Sequence, residues 1–373
     1  MGTVDFIPVS EPRLDETDAA LVSECLSSGW ISSEGKFLRE FEANWASYCG
    51  VKHGIAVSNG TTALQVAMQA LELPPGTEVI MPSFTIISCA IAVIEAGYVP
   101  VLVDCEPDTW CMNLDEVEAK ITSRTGAIMP VHMFGHPVDM RRLAQIAEQH
   151  KLLVVEDAAE AHGAEVEGRR TGGMSDLACF SFYANKIIST GEGGMVVTDN
   201  DRLAERARSL RNLCFLPEQR FLHREMGHNY RMTNVQAAIG VAQVGRVDQH
   251  IAHKRAMAER YAANLRGLNQ ISLPIERPWA KNVYWMYGIV LGDEVAFDAR
   301  ECAKRLRERG IDTRPFFLGM HEQPVLLDRG LFRGERYPVT ERLARRGFYL
   351  PSGLTLTDEQ IDRASAALRD VLS

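Results

Sequence analysis

FSFYANKIISTGEGGMVVTD, residues 180–199, reads as two strands joined by a glycine-rich turn, with a lysine, Lys186, in its middle. Phe182 and Tyr183 precede that lysine, and Ile187 and Ile188 follow it. Removing an ammonium from water without partners is costly, so a lysine in such company either points to solvent or is chemically altered.

Upstream, the two strands close a series. GIAVS (54–58), EVIMP (78–82), VPVLVD (99–104), GAIMPVHMFG (126–135) and KLLVVEDAAEAHG (151–163) are short apolar runs separated by helix-length segments. In the first of these, Ala63, Leu64, Ala67, Met68 and Leu71 share one helical face. Strands that are apolar throughout predict a mostly parallel α/β sheet covered on both faces. Ligands of such sheets gather beyond the strands' carboxyl ends, here Ser58 to Thr61, Pro82 to Thr85, Asp104, His132 and Asp157. Downstream, residues from Asn234 carry Val235, Ile239, Ala242, Val247 and Ile251 on one stripe, predicting a bent helix of some thirty residues that connects two domains. A strand over 282–291, a helix over 297–310 ended by Gly310 and a last helix opened by the capping box Thr357–Gln360 complete a smaller α+β domain. The expected division is a large domain with an N-terminal segment, 1–245, and a small domain with the connecting helix, 246–373.

With 373 residues, 46% hydrophobic and 24% charged, the chain can bury a full core. A net charge of −9 argues against nucleic acid or an anionic membrane as the main partner and leaves room for a local basic pocket. The opening MGTVDFIPVSEPRLDETD is acidic where a signal peptide is basic and apolar, no run approaches a membrane span, and a cytoplasmic protein is expected. Eight cysteines without CxxC or zinc spacing read as reduced core residues, and no metal site is expected.

SNGTTAL (58–64) combines a strand end, a glycine turn and a helix start, an arrangement that suits a phosphate; a simple cap by Ser58 or Thr61 explains it as well. It is neither a Walker A sequence nor GxGxxG, which disfavours a nicotinamide-dependent sugar reductase. Asp157 ends an apolar strand and either caps the next helix or keeps a heteroaromatic nitrogen protonated. His162 is read as a packing histidine. A phosphate cradle, a strand-end aspartate and a desolvated lysine followed by Gly191, Gly193 and Gly194 are the components of a pyridoxal phosphate enzyme whose lysine forms a Schiff base. A regulator that binds the cofactor without catalysis needs no such lysine.

WISSEGKF (30–37), SNGTTAL, PVHMFG, VEDAAEAHGA, the 180–199 stretch, NYRMTN (229–234) and TRPFFLGMH (313–321) together resemble the DegT/StrS family of nucleotide-sugar aminotransferases over nearly the whole chain. The resemblance is nearest to members that aminate C4 of GDP-4-keto-6-deoxy-mannose to give GDP-perosamine, for O-antigen, other polysaccharide or glycoside biosynthesis; UDP- or dTDP-linked 3- or 4-keto sugars are the alternative. It implies an aspartate-aminotransferase-like fold (type I), pyridoxal 5'-phosphate as cofactor, L-glutamate as amino donor and a homodimer with shared active sites. It further implies that Lys186 is the imine-forming acid/base and Asp157 the pyridinium partner. Gly60, Thr61 and Ser181 would bind the phosphate, Asn234 would reach it from the neighbouring subunit, and Glu160 would lie near the cofactor hydroxyl. Ile86 stands after PSFT, where relatives commonly have an aromatic stacked on the ring. The sugar nucleotide is expected near Trp30, Ser32, Ser33, Tyr183, Arg231 and His321.

Overall fold

The computed structural model describes residues 6–216 and 218–373; the first five residues of the acidic N-terminal stretch lie outside this range. Its main sheet is assembled from β1 (His53–Val57), β2 (Glu78–Pro82), β3 (Val99–Val103), β4 (Thr125–Ile128) and β5 (Leu153–Asp157). After a short hairpin, β6 (Glu165–Val166) and β7 (Arg169–Arg170), come β8 (Leu177–Ser181) and β9 (Gly194–Thr198). The order is β1-β9-β8-β5-β4-β2-β3. Only β9 runs against its neighbours, pairing antiparallel with both β1 and β8, while β2, β3, β4, β5 and β8 pair in parallel. β2, β8 and β9 are buried at every position, as both-face coverage requires.

The 180–199 stretch is therefore the end of β8, a long loop and β9. β9 fits between β1 and β8 only because its first residue is glycine: a Cβ on Gly194 would stand 2.3 Å from the Asn59 carbonyl oxygen. This close approach brings the loop after β1 beside the loop after β8.

Helices α1 (Glu16–Ser28) and α2 (Lys36–Cys49) precede the sheet, and α3 (Gly60–Ala70) follows β1. The predicted thirty-residue helix is two helices, Asn234–Val244 and Val247–Leu265, broken at Gly245 and Arg246. The five-residue step from Ala242 to Val247 overshoots a 3.6-residue period, so one straight helix cannot keep both inside. The predicted strand over 282–291 is ordered as a strand only over Tyr287–Leu291. Before it, the Asn282 side chain accepts a hydrogen bond from the Tyr284 N–H at 2.8 Å and Tyr284 takes φ +47°, a turn that interrupts the pairing.

A second hydrophobic core, including Tyr261, Tyr287, Ile289, Cys302, Phe348 and Leu368, packs a four-stranded sheet in which Tyr287–Leu291 pairs antiparallel with Gly347–Leu350. Ile7 also belongs to this core and pairs with Ile311, so the chain's N-terminal part is stitched to its C-terminal part. The capping box of Thr357 and Gln360 opens the last helix as predicted.

Candidate active site

Two strand ends named above serve the scaffold. Asp104 Oδ1 accepts from the Thr340 N–H and hydroxyl, at 2.9 and 2.7 Å. His132 is wholly buried with Nε2 3.0 Å from Glu156. The others converge.

At the end of β1, Asn59 caps α3 by accepting from the Thr62 N–H at 2.9 Å. The N–H groups of Gly60 and Thr61 then point out of the first helical turn, and among the described residues neither donates to a protein atom. A Cβ on Gly60 would stand 2.7 Å from Ser181 Cβ and 3.1 Å from its hydroxyl, so glycine keeps the space beside Ser181 open. The Thr61 hydroxyl is 2.8 Å from Ser88 Oγ. Two free N–H groups at a helix start, a serine hydroxyl and an absent Cβ form an anion cradle.

On the strand next to β8, Asp157 is buried at the carboxyl end of β5. Its Oδ1 accepts from the Ala159 N–H at 3.1 Å, and its Oδ2 accepts from the Cys89 thiol at 3.1 Å. Glu160 is buried as well, held by the Phe134 N–H at 2.8 Å. Burial pushes its carboxyl up to about 7, against the pull of the Lys186 ammonium. Lys186 itself is half-buried, its ammonium 3.7 Å from the centre of the Trp285 ring. Burial holds its pKa below the ordinary lysine value, with Glu160 and Asp157 opposing the shift. Among the described residues it makes no salt bridge. The site thus contains an amine, two carboxyls and an anion cradle.

His162 donates from Nε2 to the Ser181 carbonyl at 2.8 Å, while its Nδ1 is buried and unpartnered. Burial, with the Lys186 charge adding to it, pushes this imidazole down to about 3. The unfolded chain takes up a proton there near pH 6.5, whereas the folded chain refuses it until about pH 3. Stability is therefore present above pH 6.5 and lost as pH falls below it, by up to about 1.4 kcal/mol per pH unit. Urea unfolding between pH 7 and 4 should show this slope, and His162→Gln should flatten it; equal slopes in the two proteins count against this assignment.

The remaining predicted residues form a second group. Trp30, Ser33, Arg231 and Asn234 line one cleft of about 920 Å³, in which neither Lys186 nor Asp157 takes part. Arg231 reaches this cleft because Ser58 N–H bonds the Tyr230 carbonyl and Val57 bridges to Arg231, laying NYRMTN along the end of β1. Asn234 is buried, and within this chain its amide accepts from the Phe37 N–H at 3.1 Å and donates to the Trp30 carbonyl at 2.7 Å; its N–H bonds the Ser32 carbonyl at 2.6 Å. Its observed partners are thus the WISSEGKF loop and Cys25 of α1, all in the same chain. Tyr183 and Ile86 stand nearly half exposed, at 47% and 46%. His321 is buried, its Nδ1 2.8 Å from Ser83 Oγ and its Nε2 3.4 Å from Glu341.

Trp285 and Cys89 were not singled out from the sequence, although both touch the central pair. Their only sequence signals are an aromatic run before a strand and a cysteine four residues after Thr85. The contact itself depends on tertiary packing.

The profile of the DegT/DnrJ/EryC1/StrS aminotransferase family matches residues 12–369. The chain is 44% identical to the GDP-perosamine synthase of Caulobacter vibrioides over the full length of both proteins. It is 38% identical to that of Escherichia coli O157:H7, covering 95% of this chain and 96% of the other. Among solved structures, S. venezuelae DesV superposes with a TM-score of 0.89 at 35% identity, over 98% of each chain. With the cradle, the two carboxyls and the lysine in place, the chain belongs to the DegT/DnrJ/EryC1/StrS aminotransferase family.

Proposed function

We propose that this enzyme moves an amino group from L-glutamate to C4 of a GDP-linked 4-keto-6-deoxy sugar, most directly GDP-4-keto-6-deoxy-mannose, giving GDP-perosamine. The observation that carries the reading is an unpaired Lys186 ammonium grouped with buried Asp157 and Glu160 and with the Gly60–Ser181 cradle.

The enzyme is a pyridoxal phosphate-dependent aminotransferase, and its residues suit that cofactor. The Gly60 and Thr61 N–H groups and the Ser181 hydroxyl would hold the phosphate. Asp157 would hold the proton on the ring nitrogen, and Glu160, raised to about 7, would share a proton with the ring hydroxyl. Ile86 and Tyr183 offer exposed flat or apolar surface to the ring and sugar. When bound, the cofactor supplies an electron sink and a carbonyl carbon that accepts and returns the amino group. Lys186 would hold it through an imine, and its Nζ, once free as the neutral amine, would take the proton from the donor's Cα. In the second half-reaction the same Nζ delivers a proton to C4 of the sugar.

In the cleft, Arg39, Arg208, Arg220 and Arg231 lack a carboxylate partner among the described residues, which suits a nucleoside diphosphate. Because this cleft excludes Lys186, we infer a homodimer in which the cleft of one copy serves the lysine of the other, with Asn234 and the WISSEGKF loop at the junction. His321, buried against Ser83, would act on substrate through that loop packing. All eight cysteines are buried and free, which supports work in the reducing cytoplasm. Among the described residues no helix is long and apolar enough to cross a membrane.

Borohydride treatment of the pyridoxal phosphate-loaded enzyme should fix the cofactor on Lys186, read by peptide mass. Offered GDP-, UDP- and dTDP-linked 4-keto-6-deoxy sugars with L-glutamate, the enzyme should aminate the GDP sugar at C4. A product formed only from the UDP or dTDP sugars overturns the substrate reading, and a label on another lysine overturns the site.

A further inference from the structure

We propose that Trp285 is a positioning residue for Lys186, its indole face receiving the ammonium that forms once the freed amine has taken up a proton. The inference deepens the reading of Lys186 as the cofactor-bearing lysine and rests on it.

Three independent contacts fix the indole. Its Nε1–H donates to the Asn185 carbonyl at 2.8 Å, tying the ring to the residue just before the lysine. Its main-chain carbonyl accepts from Lys254 Nζ at 2.9 Å. Its ring stacks near Phe134, with centroids 6.2 Å apart and planes inclined at 26°, and Phe134 is the residue whose N–H holds Glu160. Trp285 is buried, so the ring cannot retreat when the lysine moves.

Lys254, on the inner face of helix Val247–Leu265, is wholly buried, and among the described residues no carboxylate pairs with it. It also donates to the Ser352 carbonyl. An amine has two N–H donors, so even its neutral form satisfies both carbonyls. Lys254 thus clamps the chain entering Tyr287–Leu291 to the segment after Gly347–Leu350, at the point where the Tyr284 turn aims Trp285 at the site.

The indole changes the options open to Lys186. With the cofactor absent or displaced, the nearby acceptors of charge are Glu160 and Asp157, and close pairing with either would lock the amine in a buried ion pair. The face of a tryptophan attracts an ammonium without taking its proton and without a fixed hydrogen-bond direction. Once it has taken up a proton, the released nitrogen is thereby held beside its working position and can leave it without breaking a hydrogen bond.

The test is the titration of Lys186 in the cofactor-free protein, followed by competitive acetylation across pH and peptide mass spectrometry. The titratable groups that act on this nitrogen are Asp157 at the end of β5 and Glu160 beyond it; its charge in turn lowers His162, and Glu160 raises Tyr349. Trp285→Leu should lower the Lys186 midpoint by about one pH unit, since it removes a desolvated cation–π contact. Trp285→Phe, which keeps an aromatic face, should restore most of the shift. In the loaded enzyme Trp285→Leu should lower kcat about tenfold with little change in KM. An unchanged or raised midpoint in Trp285→Leu overturns the proposal. If the leucine variant does not fold, the pH-dependent part of the tryptophan emission decides: it should be present in the cofactor-free wild type and absent in Lys186→Met, and its persistence in Lys186→Met overturns the proposal. Borohydride fixation on a different lysine would refute the underlying reading, whereas the acetylation midpoint tests the indole contact by itself.

Discussion

Lys186→Ala should lose turnover by roughly 10⁴-fold, the upper end of what one positioned acid–base group contributes, while still retaining bound cofactor. The amine has two tasks that no neighbour can take over. On the proposed reading it would hold the cofactor covalently and move the proton at the donor's Cα and at C4 of the sugar. Glu160 is held by the Phe134 N–H and Asp157 by the Ala159 N–H and Cys89 thiol, so neither is free to swing into the lysine's place. The cradle of Gly60, Thr61 and Ser181 is built from other parts of the chain and survives the substitution, so pyridoxamine phosphate should stay bound through dialysis. Steady-state transamination and the cofactor content of the dialysed variant check the two halves, and wild-type activity in the variant removes Lys186 from the mechanism.

Asp157→Asn should lower kcat by about 10²–10³-fold, the equivalent of losing one partner of a buried charge pair. The exchange keeps the shape of the side chain, and its remaining oxygen can still accept from Ala159. What it removes is the carboxylate at the carboxyl end of β5, which on the proposed reading would keep the proton on the ring nitrogen. The KM for L-glutamate should move far less than kcat, because the charge matters when electrons flow into the ring. A fall in kcat of less than tenfold would show that the ring proton is held by something else.

The main sheet was legible because its strands are apolar on both faces and stand at regular spacing, a property of the local sequence. The capping box at Thr357 was legible for the same reason. Where tertiary detail decides, the sequence misled. The stripe from Val235 to Ile251 concealed the break at Gly245, and NVYWMYGIVL looked like one strand although the Asn282 side chain bends it at Tyr284. Lys254 falls on that same buried stripe, three residues after Ile251, and could have been noticed as a lysine on an apolar helical face. Of the site, the fold sets Gly60 against Ser181 and Lys186 near Asp157 and Glu160, strand-end positions that the sequence pattern pointed to. His321, expected near the sugar nucleotide, and Asn234, expected at the phosphate, were harder to read: their partners, Ser83 with Glu341 and the Trp30–Phe37 loop, lie far away in sequence and can be known only from the fold.

The antiparallel insertion of β9 has a consequence for how the protein matures. The cradle lies at the end of the first strand of the main sheet and its serine at the end of β8, and the two meet only when the last strand of that sheet has slotted between them. Such long-range pairing is a late and slow event in folding. A partly folded chain has no place for the phosphate, so the cofactor selects the finished structure and adds its binding free energy to that structure alone. Vitamin supply to a cell making this enzyme would then set the fraction of new chains that survive degradation as well as the fraction that are active.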